Sequence, residues 1–492
     1  MCDSFFMLSI DVGTSGVRAA LFDDRGVEKI STQARRRSDG ALLDLGEFDP
    51  DALVNEVITT IDEVLASPLG AAPIDFIAIS TFWHSLVGVD ARGYATTPLL
   101  SWADTRAAEV AKTLRASFDE AEIHARTGCR FHASYWPAKL RWLRNEWPER
   151  FAATAKWLGF GEYLCLRLFG ETAAGVSLAS ATGLFNQRAC DWDWDFIRAL
   201  EISPDTLPTI DDTNRPKLLE GFGRRWPALA EARLAVVAGD GATNNIGAGC
   251  TTKNDVALMI GTSGAMRVVF KGDPPEKLAP ALWSYRATRT RVAVGGALSD
   301  GGGLIQWLRA SLNVETTDLG SEPDAHGLTI LPFWSGERST GWSPEARGVI
   351  FGLRQETQPA EIVRATLEAI AYRFASIARA LEITAVGAPG ARIVATGNAL
   401  RSSRAWIQII ADVLGRPVTL GTTAEASIRG AALLALEAVG KIAAIEDVSV
   451  PTAEVFQPGV FQPDVFQPDM ARHARYREGL ARQEELYARL FG

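Results

Sequence analysis

Leu8-Ser-Ile10-Asp11-Val12-Gly13-Thr14-Ser15-Gly16-Val17-Arg-Ala-Ala-Leu-Phe22 returns about 250 residues later as Val256-Ala-Leu-Met-Ile260-Gly261-Thr262-Ser263-Gly264-Ala265-Met-Arg-Val-Val-Phe270. Each copy is a short apolar run of strand type, a Gly-Thr-Ser-Gly turn and a second apolar run. The pattern reads as an internal duplication of one hairpin, with one copy in each half of the chain. The copies differ where chemistry would notice. The position three before the first Thr is Asp11 in one copy and Met259 in the other, so only the first hairpin carries a carboxylate.

Outward from the first hairpin, Asp23-Asp24-Arg25-Gly26 reads as a turn into a third strand. A helix is predicted from about Asp49, with Pro50 in its first turn and Leu53, Val57, Ile61 and Leu65 at helical spacing. Ile74 to Ser80 has the pattern of a buried strand, and residues 104–170 read as largely helical. Beyond the second hairpin come a Gly-rich helix start at Gly301-Gly302-Gly303, a long amphipathic helix at about 359–384, and a strand, Ala391 to Thr396, ending in Gly397-Asn398. Strands alternating with helices in both halves predict an α/β protein with mixed sheets. The expected domains are residues 1–250, residues 251–440, and a tail over 441–492. That tail carries Phe-Gln-Pro at Phe456, Phe461 and Phe466, read as an extended connector, and then a charged surface helix.

Bulk composition narrows the function. Apolar residues make up 47% and charged residues 22% of 492, enough to bury sizeable cores. A net charge of −9 disfavours a nucleic-acid partner. No apolar run approaches the roughly 18 residues that span a bilayer, and the start lacks a basic n-region, so neither a membrane nor a secretory role is expected. The five cysteines (Cys2, Cys129, Cys165, Cys190 and Cys250) form no Cys-x-x-Cys pair. A reduced, cytoplasmic protein is the expectation. The oligomeric state stays open, with a homodimer among the candidates.

Either Gly-Thr-Ser-Gly turn alone also reads as an ordinary turn. As a facing pair across a cleft, they could aim backbone N–H and hydroxyl donors at one polyphosphate, with Asp11 offering oxygen to Mg²⁺. Asp240, in Ala238-Gly239-Asp240-Gly241-Ala242, follows an apolar strand and precedes a small-residue helix. It reads either as an N-cap or as a general base. His84, beside Trp83 at a strand end, reads as a packed residue or a ligand contact. Asp104 and Arg106 read as a surface ion pair or as partners of substrate hydroxyls.

With these pieces in order, the chain resembles the FGGY carbohydrate kinases from Leu8 to about Leu436. The segments include Trp102 to Arg106, Leu331-Pro-Phe-Trp-Ser-Gly-Glu-Arg338, and the late stretch with Trp406-Ile-Gln408, Asp412 and Glu425. The resemblance implies the two-domain actin, hexokinase and Hsp70-like ATPase fold, made of duplicated ribonuclease H-like domains around a catalytic cleft. It further implies ATP and Mg²⁺ as cofactors and a small sugar or sugar acid as substrate. Asp240 would be the catalytic base and Asp11 the metal ligand. Thr14, Ser15, Arg18, Gly261, Thr262, Ser263, Gly302, Gln306, Gly397, Asn398 and Ser402 would bind the nucleotide. Trp83, His84, Asp104 and Arg106 would line the substrate site together with Asp240.

Within the family the first half is most similar to gluconate kinases, through His84 to Asp90, Thr127 to His132, Lys156 to Tyr163 and Ser177 to Asn186. Three stretches depart from the usual pattern: Gly397-Asn398 for Gly-Gly, Arg130-Phe131-His132-Ala133 without its flanking prolines, and Ser299-Asp300 for Asn-Asn. Gluconate would need a cation for its carboxylate, and Arg130, His132, Lys139 and Arg286 are the candidates. Two rivals stand beside this reading: the same kinase class acting on xylulose, ribulose or a polyol such as glycerol or erythritol, and an actin-like or Hsp70-like ATPase without a small-molecule acceptor.

Overall fold

A computed structural model describes residues 5–35, 46–315, 320, 322–450 and 464–491. The first repeat is a hairpin of β1 (Met7–Gly13) and β2 (Gly16–Phe22), followed by β3 (Glu28–Arg35). Helix α1 (Pro50–Leu65) leads to β4 (Phe76–Thr81). Asp49 caps α1 by accepting from the N–H groups of Asp51 and Ala52 at 3.0 Å, and Leu53, Val57 and Ile61 face inward, as their spacing predicts. A long excursion that contains α2 (Phe160–Phe169) separates β4 from β5 (Arg233–Gly239), which runs into α3 (Asp240–Gly247). The sheet order is β5-β4-β1-β2-β3, with β1, β4 and β5 parallel and the hairpin antiparallel.

The second half repeats this plan. β6 (Asp255–Ile260) and β7 (Gly264–Lys271) form the hairpin, joined by β8 (Trp283–Thr288) and β9 (Arg291–Leu298). Then follow α4 (Gly302–Ser311), α5 (Pro359–Ile383), β10 (Arg392–Thr396), α6 (Asn398–Arg401), α7 (Arg404–Leu414), β11 (Val418–Leu420) and α8 (Ala426–Ala438). The sheet order is β8-β9-β7-β6-β10-β11-β12, the last strand being Val465–Phe466. Antiparallel β9-β7-β6 with parallel β10 and β11 matches β3-β2-β1 with β4 and β5, so the duplication extends from a motif to a whole sheet.

The tail belongs to this second sheet. Phe466 pairs with Val418 through β12, and α9 (Met470–Phe491) packs on α5 and α7. Phe456 and Phe461 lie outside the described residues. No helix among the described residues is long and apolar enough to cross a membrane.

Two helices tie the halves together. Helix α8 follows the second sheet in sequence but packs on β1, β4 and β5 of the first. Its Leu433, Leu434 and Leu436 share a core with Met7, Phe22 and Ala78. It crosses α3 at two glycines. A Cβ on Gly430 would lie 1.8 Å from the Thr243 carbonyl oxygen, and one on Gly247 would lie 1.8 Å from that of Ala426. Only residues without a side chain permit that approach. The crossing lies beside the start of α3, where Asp240 sits.

Candidate active site

Asp240 stands at the junction of β5 and α3. Gly239 is the N-cap and Asp240 the first residue of the helix, so Asp240 is not the cap, although its carboxyl accepts from the Gly241 N–H in the first turn. The carboxyl group opens instead into a cavity of about 70 Å³, walled by Trp83, His84, Trp102, Ser263, Arg267, Trp283 and Arg338. Glycine is needed on both sides of it: a Cβ at Gly239 would overlap the Trp83 indole at 1.8 Å, and one at Gly241 would meet it at 2.3 Å. Burial raises the Asp240 pKa, Arg267 pulls it back, and the N–H groups of Gly241 and Trp83 and the charge of Arg338 pull further, but the net direction is upward.

His84 has φ +65°, a left-handed backbone that is costly for a residue with a Cβ. Its Nδ1–H donates to the Ala181 carbonyl at 2.7 Å, and Tyr135 and Tyr285 pack edge-on against its ring. Burial, with the nearby charge of Arg338, lowers its pKa well below the usual histidine value. The ring is therefore neutral, and Nε2 is left as an acceptor on a residue that lines the cavity. Trp83 packs against Trp283 and Tyr285 and donates from Nε1 to Ser177 O at 2.9 Å.

A second, larger cavity of about 550 Å³ adjoins the first and shares Trp102 and Arg338 with it. Thr14 and Ser15 from the first Gly-Thr-Ser-Gly turn line it, and so do Thr262 from the second and Ser299, Asp300 and Gly303. The two turns do face one space. They are not identical: Gly13 pairs with Gly16 across a two-residue turn, whereas Ile260 pairs with Gly264 across three residues. The wider turn is held by the start of α4, since Gly302 N–H donates to Gly261 O at 2.8 Å and Gly303 N–H donates to Thr262 O at 3.0 Å. Gly397 fits against Ile260 O, where a Cβ would lie at 2.3 Å. Gly261, Thr262, Ser263, Gly302 and Gly397 are thus gathered at one place. Gln306, Asn398 and Ser402 are exposed on the adjoining helices and line neither cavity. Asp300, one of the departures noted in the sequence, accepts from Ser335 N–H and Oγ at 2.9 Å and so ties the Ser335 loop to α4.

Asp11 lies on β1 beside this space. Burial raises its pKa to about 6 against the pull of Arg18, and the proximity of Asp240 adds to the rise. Its Oδ1 is buried without a well-formed hydrogen bond, although the Ser80 hydroxyl is near enough to lower the pKa. Arg18 is held by Asp11 at 3.4 Å and by Glu425, at the start of α8, at 2.7 Å. A buried carboxylate with an idle oxygen and a second carboxylate nearby has the hard-oxygen chemistry that Mg²⁺ takes.

The loop of Asp104 and Arg106 enters the larger cavity through Trp102, Ala103 and Thr105, not through the two charged residues. Arg106 Nε donates to Asp104 at 3.1 Å, its guanidinium also pairs with Glu47, and it lies over Trp142 at 4.6 Å. Asp104 is buried beneath it. Asp104 and Arg106 do form an ion pair, with Asp104 buried and Arg106 part-buried.

The four cations named for a substrate carboxylate are occupied or neutral. Arg130 pairs with Glu120, and Arg286 donates to the carbonyls of Gln187 and Arg289 at 2.8 and 2.9 Å. Lys139 donates to the carbonyls of His84 and Ser101 at 2.8 and 2.6 Å, and burial lowers its pKa to about 7. Burial holds His132 neutral, with a pKa of about 3. The cations in the Asp240 cavity are Arg267 and Arg338. The sequence reading gave neither of them a role. Arg267 is a charge inside the otherwise apolar strand β7.

Residues 6–217 match the FGGY family of carbohydrate kinases, N-terminal domain, and residues 256–439 match the C-terminal domain of the same family. The chain is 32% identical to a gluconokinase of Bacillus subtilis over 90% of each chain. It is 31% identical to a glycerol kinase of Paracidovorax citrulli over 90% of this chain and 93% of the other. A solved gluconate kinase from Lactobacillus acidophilus superposes with a TM-score of 0.86 at 26% identity, covering 99% of this chain and 98% of that one. A ligand-bound xylulose kinase from the same organism superposes equally well, with the same TM-score, identity and coverage.

Proposed function

The chain belongs to the FGGY family of carbohydrate kinases, whose phosphate donor is ATP, and we propose that its acceptor is a sugar acid, D-gluconate, phosphorylated on its terminal hydroxyl. The observation that carries this reading is the Asp240 cavity. A carboxylate with a raised pKa shares a small, aromatic-walled space with two buried guanidinium groups, beside the cleft that both Gly-Thr-Ser-Gly turns line. A neutral polyol needs no such positive charge, whereas an aldonate does.

Phosphoryl transfer asks mainly for in-line positioning and for compensation of negative charge. Asp240 is the base that accepts the proton of the attacking hydroxyl at its carboxylate as the new P–O bond forms. Neutral His84 accepts from a substrate hydroxyl through Nε2 and keeps the chain from sliding. Trp83, Trp102 and Trp283 exclude water, which would otherwise compete as acceptor. The turns at Thr14 and Thr262 hold the phosphates of ATP from opposite sides, and the glycines of the second half let the nucleotide approach the backbone. Asp11 is the residue that would hold Mg²⁺, which would supply positive charge to offset that of the phosphates.

The test is coupled ADP release from the purified protein with Mg²⁺-ATP and a panel of D-gluconate, D-xylulose, L-ribulose, glycerol and erythritol. Turnover with gluconate well above the others is the expected result. Preference for any neutral member discards the sugar-acid reading, and ADP release that ignores every acceptor returns the chain to the ATPase class.

A further inference from the structure

Among the described residues, buried arginines have their charge answered by carboxylates or backbone carbonyls, with two exceptions. Arg291 is held by Glu437 and Glu446, Arg373 by Glu337, and Arg364 by Glu368. Arg286 and Arg429 donate to backbone carbonyls. Arg267 has Asp240 for a neighbour and a long 3.5 Å contact with Asn244. Arg338 also feels the charge of Asp240, but its side chain makes no hydrogen bond and no ion pair among the described residues. It is 8% exposed, and no carboxylate among the described residues lies within ion-pair distance of it. Its Nε is buried without a hydrogen bond, and its guanidinium lies 5.5 Å from the centroid of the Trp102 ring. An arginine stays charged under any ordinary condition, so a buried and unanswered guanidinium carries a desolvation cost that a bound anion would relieve.

We propose that Arg338 receives the carboxylate of the acceptor, and that this contact makes the site select aldonates over neutral polyols. The inference rests on the sugar-acid reading given above. Position supports Arg338 over Arg267. Arg267 lines only the small cavity that holds Asp240, whereas Arg338 lines that cavity and the larger one beside it. Asp240 meets the terminal hydroxyl, so the far end of an open-chain acid reaches toward the cation shared with the larger cavity. Arg338 also lines both cavities, where an extended substrate can pass it. Chemistry supports it as well: the planar guanidinium fork matches a carboxylate in two parallel hydrogen bonds, and the Trp102 face holds the fork in orientation. The surrounding rings of His84 and His132 are neutral, so the positive charge at the site comes from the placed guanidinium groups and not from the histidines.

The experiment compares kcat/KM for D-gluconate with that for D-gluconamide, its neutral isostere, in the wild type, Arg338→Met and Arg338→Lys. The wild type should favour gluconate. Arg338→Met should shrink that ratio about 10- to 150-fold, the worth of one charge-assisted contact, and Arg338→Lys should recover part of it. A wild-type ratio near one overturns the sugar-acid reading and this inference together. A wild-type preference that persists in the variants overturns the assignment to Arg338 alone. An equal loss on both acceptors, or a raised KM for ATP, moves Arg338 to the phosphates and overturns it too. Should the Met variant not fold, the Lys variant decides, because a ratio unchanged in Arg338→Lys refutes two-pronged recognition.

Discussion

Replacing Asp240 by Asn removes one proton acceptor and one negative charge while keeping the shape of the side chain. The N–H groups of Trp83 and Gly241 keep an oxygen to donate to, and the indole wall that tolerates no Cβ at Gly239 or Gly241 is undisturbed. A positioned general base contributes about 10²–10⁴-fold, or ~3–5 kcal/mol of barrier. kcat should therefore fall by that factor, while KM for ATP stays within about threefold because the phosphate-facing turns are untouched. Stability should move the other way. The folded pKa of Asp240 is raised even after Arg267 and Arg338 have been counted, so its ionised form is a net burden on the folded state. That burden is absent below its ordinary value of 3.8 and fully present above the raised one. Asp240→Asn should thus melt higher than wild type at pH 8, and the gain should vanish as the pH approaches 4. Steady-state kinetics and thermal melts on the same preparations measure both. A variant that keeps kcat within tenfold of wild type removes Asp240 from proton transfer. One that is slow but also less stable at pH 8 shows that the lost activity reflects damaged packing.

Three further expectations concern the scaffold. Glu162, in the first turn of α2, is 4% exposed, and burial raises its pKa from 4.5 to about 7 against hydrogen bonds from backbone N–H groups. Its charge destabilises the fold by about 3 kcal/mol above pH 7 and not at all below pH 4.5. Glu162→Gln should flatten the fall in stability between those pH values in chemical denaturation, and an unchanged profile would assign that fall to other groups. Gly430→Ala should cost at least the upper end of ~1–3 kcal/mol, since its Cβ would meet the Thr243 carbonyl at 1.8 Å; a melting temperature equal to wild type would mean that α3 and α8 part easily. Gly302→Ala places a Cβ 2.6 Å from both the Ala399 Cβ and Gly261 O, so it should raise KM for ATP more than KM for the acceptor, a split that two substrate titrations read directly.

The duplicated hairpin was legible because Gly-Thr-Ser-Gly between two apolar runs is a local signal, and the chain repeats it. Asp240 was legible for a similar reason: a carboxylate between glycines at a strand-to-helix junction has few places to point. Arg267 was hidden because β7 is buried on both faces from Gly264 to Phe270, so no alternation tells which side a residue faces. Arg338 lies in a loop, where no periodicity applies. Asp104 and Arg106 show the limit from the other side. Their spacing permits either an ion pair or a ligand contact, and what separates the two is Glu47 and Trp142, which the fold brings from elsewhere. The boundary expected at residue 250 follows the repeat but not the packing, since a helix buried on nearly every side, as α8 is, carries no mark of the sheet it will cover.

The place of α8 also bears on how the protein is made. Ser9 Oγ donates to the Ile428 carbonyl at 2.7 Å in a buried contact, so β1 has a partner in a helix made 419 residues after it. At about 5–20 residues per second, the faces of β1 and β4 that α8 covers wait roughly 10–40 s between the synthesis of residue 250 and that of residue 438. During that interval Met7, Phe22 and Ala78 lack their apolar cover. The first half therefore completes its fold only when α8 has been made. A nascent chain halted anywhere before α8 is a natural client for the chaperones that shield exposed apolar strands.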